Sequence, residues 1–282
     1  MLLTAAGPGT TYDFRTFEVC PGCSTSTGGI NDSGLVGATH QGALPLQGYV
    51  FNTKTNTATA VSGALAMTVP SNNGRTPGFG FAAGALVPVV REQNGTVTVL
   101  EGYPDAPITA ILQFDGRGTS IGWATQNFSS FFSFLRSPDG AYSKLLYPGP
   151  IGALTLGTFL LGWNERGTMV GYLADPTETQ FSGVIRHPCG QWELWNVPDA
   201  TSTMIYAITE NGTMAGTFQD AAGWHGYVWS KGELQTVDFP GAANTTITGI
   251  NNHGDLVGIT FNGPSPLQAV PTAFVAARAG GR

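Results

Sequence analysis

The chain predicts an all-β fold: a six-bladed β-propeller of four-stranded blades, with an N-terminal strand closing the last blade. Three observations carry this expectation. One short phrase recurs six times, each copy holds the same order of strand-like segments, and the last copy is one strand short. The phrase is a turn, a glycine, and a second glycine after a small or apolar residue. Its copies read Asn31-Asp-Ser-Gly-Leu-Val-Gly37, Asn72-Asn-Gly-Arg-Thr-Pro-Gly78, Asp115-Gly-Arg-Gly-Thr-Ser-Ile-Gly122, Asn164-Glu-Arg-Gly-Thr-Met-Val-Gly171, Thr209-Glu-Asn-Gly-Thr-Met-Ala-Gly216 and Asn251-Asn-His-Gly-Asp-Leu-Val-Gly258. The closing glycines lie 41, 44, 49, 45 and 42 residues apart. A period of this size built from strands is the signature of a blade array.

The fifth copy shows the unit most plainly. Residues 203–208 form an apolar first strand, short enough for a buried position. Asn211-Gly212 supplies the positive φ of a tight hairpin, and residues 213–218 follow as a second strand. His225-Gly-Tyr-Val-Trp229 is the third strand and Glu233–Asp238 an alternating, half-exposed fourth. Phe239-Pro-Gly then ends the sheet, because proline cannot continue a ladder. Third strands recur at Gln47–Phe51, Phe131–Leu135, Phe181–Ile185 and Thr272–Ala276, and proline turns at Cys20-Pro-Gly, Tyr103-Pro-Asp, Tyr147-Pro-Gly and Val197-Pro-Asp. The second copy is degenerate, with Pro77 interrupting its second strand. The sixth stops after its third strand, and Tyr12–Val19 has the pattern of the missing fourth. Pairing the two would tie the ring shut and hide its edges. An open β-solenoid is the alternative. The whole chain, 1–282, is then one domain, with repeats at roughly 23–63, 64–107, 108–150, 151–200, 201–242 and 243–282 plus 11–22.

Composition narrows the function classes. Charged residues are 11% of the chain, the net charge is −6, and no basic run is visible, which argues against nucleic acid as partner. No apolar stretch approaches the length of a membrane span. Met1-Leu-Leu-Thr-Ala-Ala is too short for a signal peptide, so an exported protein would correspond to a mature chain. Few lysines and abundant Thr, Ser, Asn and Gly give the surface the character of a secreted bacterial protein.

The phrases Gly249-Ile-Asn-Asn-His-Gly-Asp-Leu-Val-Gly258, His225-Gly-Tyr-Val-Trp229 and Val237-Asp-Phe-Pro-Gly-Ala242 resemble the bacterial extracellular HAF-repeat family. The resemblance is strong in copies one, four, five and six and weak in two and three. The His position is kept only at His225; Gln47, Phe132 and Ser182 stand at the equivalent sites. The resemblance implies an exported repeat protein with a propeller fold and brings no catalytic residues to carry over.

Candidate chemistry is sparse. Cys20-Pro-Gly-Cys23 offers a redox dithiol, half a zinc site or a local disulfide. A blade loop is the wrong setting for thioredoxin-like chemistry, and His187-Pro-Cys189 should lie on the opposite face of the disc, so a disulfide or two thiols on a turn is the expectation and no metal is expected. Asp32, Asp115, Glu165 and Glu210 recur in the turns, but turn chemistry alone explains them, and no calcium-loop spacing accompanies them. No nucleophile elbow, metalloprotease helix or phosphate loop exists, so no cofactor is expected. Trp123, Trp163, Trp229 and Phe274 sit inside strands, where packing between blades accounts for them.

The strand two–three loops differ most between copies, so that face is where a ligand site is expected. His40, Asp175, Glu178, Asp220 and Trp224 are its candidate hydrogen-bonding or stacking residues. The reading is a non-enzymatic, exported module at the cell surface or in extracellular matrix. Its partner would be a glycan, a protein, or further copies of itself joined through the N-terminal strand. The competing class is a hydrolase or lyase on a polysaccharide or phosphorylated ligand, with carboxylates drawn from several loops.

Overall fold

The computed structural model describes residues 10–41, 46–127, 129–149, 156–267 and 270–279. The stretch 1–6 and parts of the strand two–three loops at 42–45, 128 and 268 lie outside the described residues. In chain order the strands are β1 (Tyr12–Phe17), β2 (Ser24–Ile30), β3 (Leu35–Gln41), β4 (Gln47–Asn52), β5 (Thr57–Ala60), β6 (Ala66–Met67), β7 (Thr76–Ala82) and β8 (Ala85–Arg91). They continue as β9 (Val97–Val99), β10 (Ile108–Phe114), β11 (Ser120–Thr125), β12 (Phe131–Arg136), β13 (Tyr142–Leu145), β14 (Gly157–Trp163), β15 (Met169–Ala174) and β16 (Phe181–Arg186). The last eight are β17 (Trp192–Leu194), β18 (Ser202–Ile208), β19 (Met214–Gln219), β20 (Trp224–Ser230), β21 (Glu233–Thr236), β22 (Thr245–Ile250), β23 (Leu256–Asn262) and β24 (Val270–Arg278). Among the described residues no helix is long and apolar enough to cross a membrane.

The strands pair as antiparallel meanders. β2–β5 and β18–β21 each form a four-stranded sheet, and β22–β24 form a third with β1. In that last sheet β1 lies against β24 from Tyr12↔Arg278 to Phe17↔Ala273, so the N-terminal strand completes the final repeat of its own chain. Repeats two, three and four run together as one twelve-stranded sheet rather than as separate blades. Among the described residues their meanders are joined by the single parallel pairs Ile108↔Leu86 and Phe131↔Gly157.

Every repeat packs its apolar face on the next. Val50, Met67 and Val89 join repeats one and two, and Val90, Ile111 and Phe132 join two and three. Ile121, Leu160 and Met169 join three and four, Val170, Ile205 and Met214 four and five, and Ala215, Ile247 and Phe274 five and six. Phe17, Val275, Ile30 and Val36 then pack repeat six on repeat one, with the Phe17 and Phe51 rings stacked 4.0 Å apart. The apolar contacts thus run in a cycle.

The repeated phrase has a physical explanation at each glycine. Its turn glycine (Gly34, Gly74, Gly118, Gly167, Gly212 and Gly254) takes φ between 84° and 89° in all six copies, and its N–H bonds the carbonyl three residues earlier. Asn211 is not in the left-handed region, so this is a three-residue loop with a bulge glycine rather than the two-residue Asn-Gly turn the sequence suggested. The second glycine lies beneath the backbone of an innermost strand. A Cβ there would fall 1.6 Å from Thr68 O at Gly37, 1.8 Å from Phe159 O at Gly171 and 2.2 Å from Thr246 O at Gly258. Pro77 corrects another expectation: it lies within β7, paired with Val90, and its carbonyl accepts the Thr68 N–H at 2.9 Å.

Candidate functional site

The loop-face candidates fall into three local clusters. Asp175 is 7% exposed and caps its own turn, accepting from the Thr179 and Gln180 N–H groups at 2.7 and 2.8 Å and from the Thr177 hydroxyl. Burial pushes its carboxyl up, but these hydrogen bonds win and hold it down to about 2. Glu178 closes the same turn through its N–H to Asp175 O, with a φ of 55°. Trp224, expected at a loop edge as a stacking residue, is 2% exposed instead. It packs on Phe181, Phe261 and Ile259, and its indole N–H donates to Pro264 O at 2.8 Å. Buried this way it offers no stacking surface to a ligand.

Asp220 belongs to a cluster that includes a residue not among the predicted candidates. It accepts the Ala222 N–H at 2.7 Å and lies 3.3 Å from Nε2 of His225. Nδ1 of the same ring meets Asp238 Oδ2 at 2.8 Å, while Asp238 Oδ1 accepts the Gly226 N–H. Partial burial disfavours the charged imidazole, yet Asp238 and then Asp220 outweigh it and raise the His225 pKa. The bond of Asp220 to Ala222, and after it the imidazolium, keep the Asp220 carboxyl low.

Sister repeats place other residues at this point. In repeat four Asn196 accepts from Gly183 N–H and bonds Ser182 Oγ, and in repeat one Gln47 Nε2 reaches Val61 O and Ala64 O. Asp–His–Asp is therefore one version of a tie between the third strand and the chain that follows the fourth. The signal for it was in the sequence, as the His225 and Asp238 positions of the repeat.

His40 lies beside the cysteine pair. Cys20 and Cys23 form a disulfide, as one reading of the motif expects, and His40 Nδ1 is 3.6 Å from Cys20 Sγ. His187, the other candidate zinc ligand of the sequence, pairs instead with Glu193 at 2.9 Å in its own hairpin, and Cys189 is an exposed free thiol.

The turn carboxylates do more than shape their turns. The Asn252 N–H donates to Asp32 Oδ1 at 2.8 Å, and the Asp32 N–H donates to Asn72 Oδ1 at 2.9 Å. The Glu210 N–H donates to Asn252 Oδ1, the Glu165 N–H to the Glu210 carboxylate, and the Gly116 N–H to Glu165 Oε1 at 2.7 Å. One residue of each turn thus accepts from the same position of the preceding repeat, the sixth repeat passing the link to the first. The series breaks once. Gly116 has no side chain to receive the Asn72 N–H.

Asp115 stands one position earlier than the other acids and caps its own turn through Arg117 and Thr119 N–H. At that earlier position Asn31, Asn164 and Asn251 add a second set of links, donating to Ser71 O, Thr209 O and Asn31 O of the following repeat. Asp32 is the most heavily bonded acid of the series. Burial raises its carboxyl, but the Asn252 side chain and backbone and the Asn72 amide hold it below the usual range.

Inside this series lies a cavity of about 360 Å³ to which all six repeats contribute. It opens on the tight-turn face, not on the loop-rich face where a site was expected. Phe114, Trp163 and Tyr206 give it aromatic surface, and Gln113 braces it by bonding the Trp163 backbone through both amide atoms at 2.7 and 3.0 Å. The indole N–H of Trp163 is shielded from solvent and has no acceptor among the described residues. The surrounding carboxylates accept from backbone N–H groups and the lining amides bond neighbouring turns or the Trp163 backbone, so the mouth presents aromatic rings and neutral turn backbone.

No protein-family model and no curated protein sequence matches the chain. Solved structures do. A streptogramin B lyase aligns over 95% of this chain and 98% of its own at 13% identity, with a TM-score of 0.55. Regucalcin from Agrobacterium tumefaciens, described as a calcium-binding protein, aligns over 97% of both chains at 12% identity and a TM-score of 0.57. TolB from Acinetobacter baumannii aligns over 77% of this chain and 55% of its own, at 11% identity and a TM-score of 0.57. These are β-propeller proteins, and the likeness places this chain in the same fold.

Proposed function

We propose that the protein is an exported, six-bladed propeller that acts as a non-catalytic binding module, holding the end of a glycan in the axial mouth. The observation that carries the reading is the commitment of its titratable groups. Asp32, Glu165 and Glu210 link repeats, Asp175 caps a turn, and His225 is held between Asp220 and Asp238. The mouth sets Trp163 and Tyr206 among neutral polar groups and turn carbonyls, which suits a polyhydroxylated ring: aromatic faces stack on it and carbonyl oxygens accept from its hydroxyls. The six core interfaces, the pairing of β1 with β24 and the turn-to-turn bonds support the blade count. The low charge and the HAF-like phrases support an extracellular setting.

The test is calorimetric titration with a panel of neutral and uronic-acid polysaccharides. Binding to at least one, weakened about tenfold or more by Trp163→Ala and less by Trp163→Phe, is the expected result; tenfold corresponds to ~1.4 kcal/mol. A panel with no binder, or binding indifferent to Trp163, refutes the axial mouth.

Self-association is the second form of the reading. The outer strands Thr57–Ala60 and Val97–Val99 carry no charge to discourage edge pairing. Polymers in light scattering would move the function from ligand capture to assembly. Because β1 already completes its own repeat, donating it to a neighbour would require its withdrawal from β24.

A further inference from the structure

The topology unites two features that stand apart in the sequence. β2 begins directly after Cys23 and pairs with β3 so that Thr25 lies opposite His40. This brings the histidine back over the Cys20-Pro-Gly-Cys23 turn. One ligand atom from each of Cys20, Cys23 and His40 lies within 4.8 Å of the other two, and all three residues are half-buried. We propose that this set, once its disulfide is reduced, is a binding site for a single divalent ion of the zinc class.

The geometry suits such an ion. Zinc–sulfur and zinc–nitrogen bonds of ~2.3 and ~2.0 Å at a tetrahedral angle put the two ligand atoms about 3.5 Å apart. Cys20 Sγ and His40 Nδ1 are 3.6 Å apart. Cys-x-x-Cys is a spacing from which zinc sites draw two thiolates. The Cys20 N–H already points at Cys23 Sγ at 3.1 Å, the kind of donor that stabilises a thiolate, and the Thr25 hydroxyl lies 3.8 Å from the same sulfur. Three protein ligands leave a fourth position for water or an exogenous donor, as at sites that exchange ligands.

Access to the site is a redox step. A dithiol reductant gives two electrons and two protons to the Cys20–Cys23 bond and leaves as its own disulfide. The metal then displaces both thiol protons to solvent, and His40 contributes the lone pair of its neutral ring. While the disulfide is intact the sulfurs bind only each other, so metal affinity and oxidation exclude one another.

The test uses the full chain with Cys189→Ser, which removes the one other thiol. The protein, oxidised or reduced and freed of reductant under anaerobic conditions, is titrated with Co²⁺ and then competed with Zn²⁺. Reduced protein should bind one Co²⁺ with the thiolate-to-metal charge-transfer band and visible bands of tetrahedral cobalt, which Zn²⁺ abolishes. Oxidised protein should give neither. His40→Ala should keep the thiolate band but weaken binding about tenfold or more and change the visible envelope. The proposal fails if reduced protein shows no charge-transfer band, if oxidised protein binds equally, or if His40→Ala leaves both affinity and spectrum unchanged. The oxidised and reduced forms share one sequence, so this comparison stands even where a cysteine variant misfolds.

Discussion

The two faces of the molecule use the same residue types for opposite ends. On the tight-turn face, Asp32, Glu165 and Glu210 accept from the preceding repeat, and their hydrogen bonds belong to the assembly of repeats. On the loop-rich face Asp175 and Asp220 bond within their own repeats, and the contacts that do cross, Trp224 to Pro264 O and Cys20 to His40, differ from one repeat to the next. Equivalent positions must be alike to make a ring, whereas loops outside that series are free to diverge. The face with the more variable loops is therefore not the face where the repeats converge on a cavity.

The largest test of this contrast lies beneath the turn ring. Gly171→Ala places a methyl carbon 1.8 Å from Phe159 O, a backbone atom that moves only with its strand. It should cost about 4 kcal/mol or prevent folding, against about 1 kcal/mol for Gly212→Ala, where only the left-handed φ is strained and the space is open. Equal losses in urea unfolding would mean that close approach is not what selects the second glycine.

A smaller effect separates the faces directly. Asp32→Ala removes the acceptor of three hydrogen bonds from two other repeats, and should lower global stability by about 1–2 kcal/mol. Because the folded Asp32 pKa is depressed, that contribution is complete above the unfolded value near 4 and fades as pH falls through the folded one. The gap between wild type and variant should therefore close in acid. Asp175→Ala should instead disturb only its own turn, accelerating amide exchange at residues 177–180 beyond any change in the global transition. Exchange that rises equally in the neighbouring repeats would erase the distinction.

The smallest effect is a gain. Gly116→Asn supplies the missing acceptor for the Asn72 N–H, and its Cβ would meet only the movable end of Glu165 at 3.2 Å. Thermal denaturation should show stabilisation of about 0.5–1 kcal/mol. A loss would mean that the gap is needed as it stands.

Much of this architecture was legible in the sequence because repetition reveals what a single copy conceals. The strands of repeat five, the stop of repeat six after its third strand at residues 270–278 and the replacement of its missing fourth by 12–17 all follow from matching six copies. Side-chain destinations were harder to read. Trp224 follows a loop and looks exposed in sequence, yet Phe181 and Phe261 come from the neighbouring repeats to bury it. Asp32 and Glu165 look like turn residues, and their inter-repeat bonds appear only when the turns are set side by side. The pairing of His40 with the Cys20–Cys23 turn depends on the β2–β3 register, which no local spacing announces.

The vacancy at Gly116 also gives the ring a direction of failure. A belt with five fastened buckles and one undone opens at the undone one, so thermal breathing should start between repeats two and three rather than where the chain's two ends meet. There the β1–β24 ladder and the stacked Phe17 and Phe51 rings make the join between last repeat and first a sturdy seam, and a neighbouring pair in mid-chain the hinge.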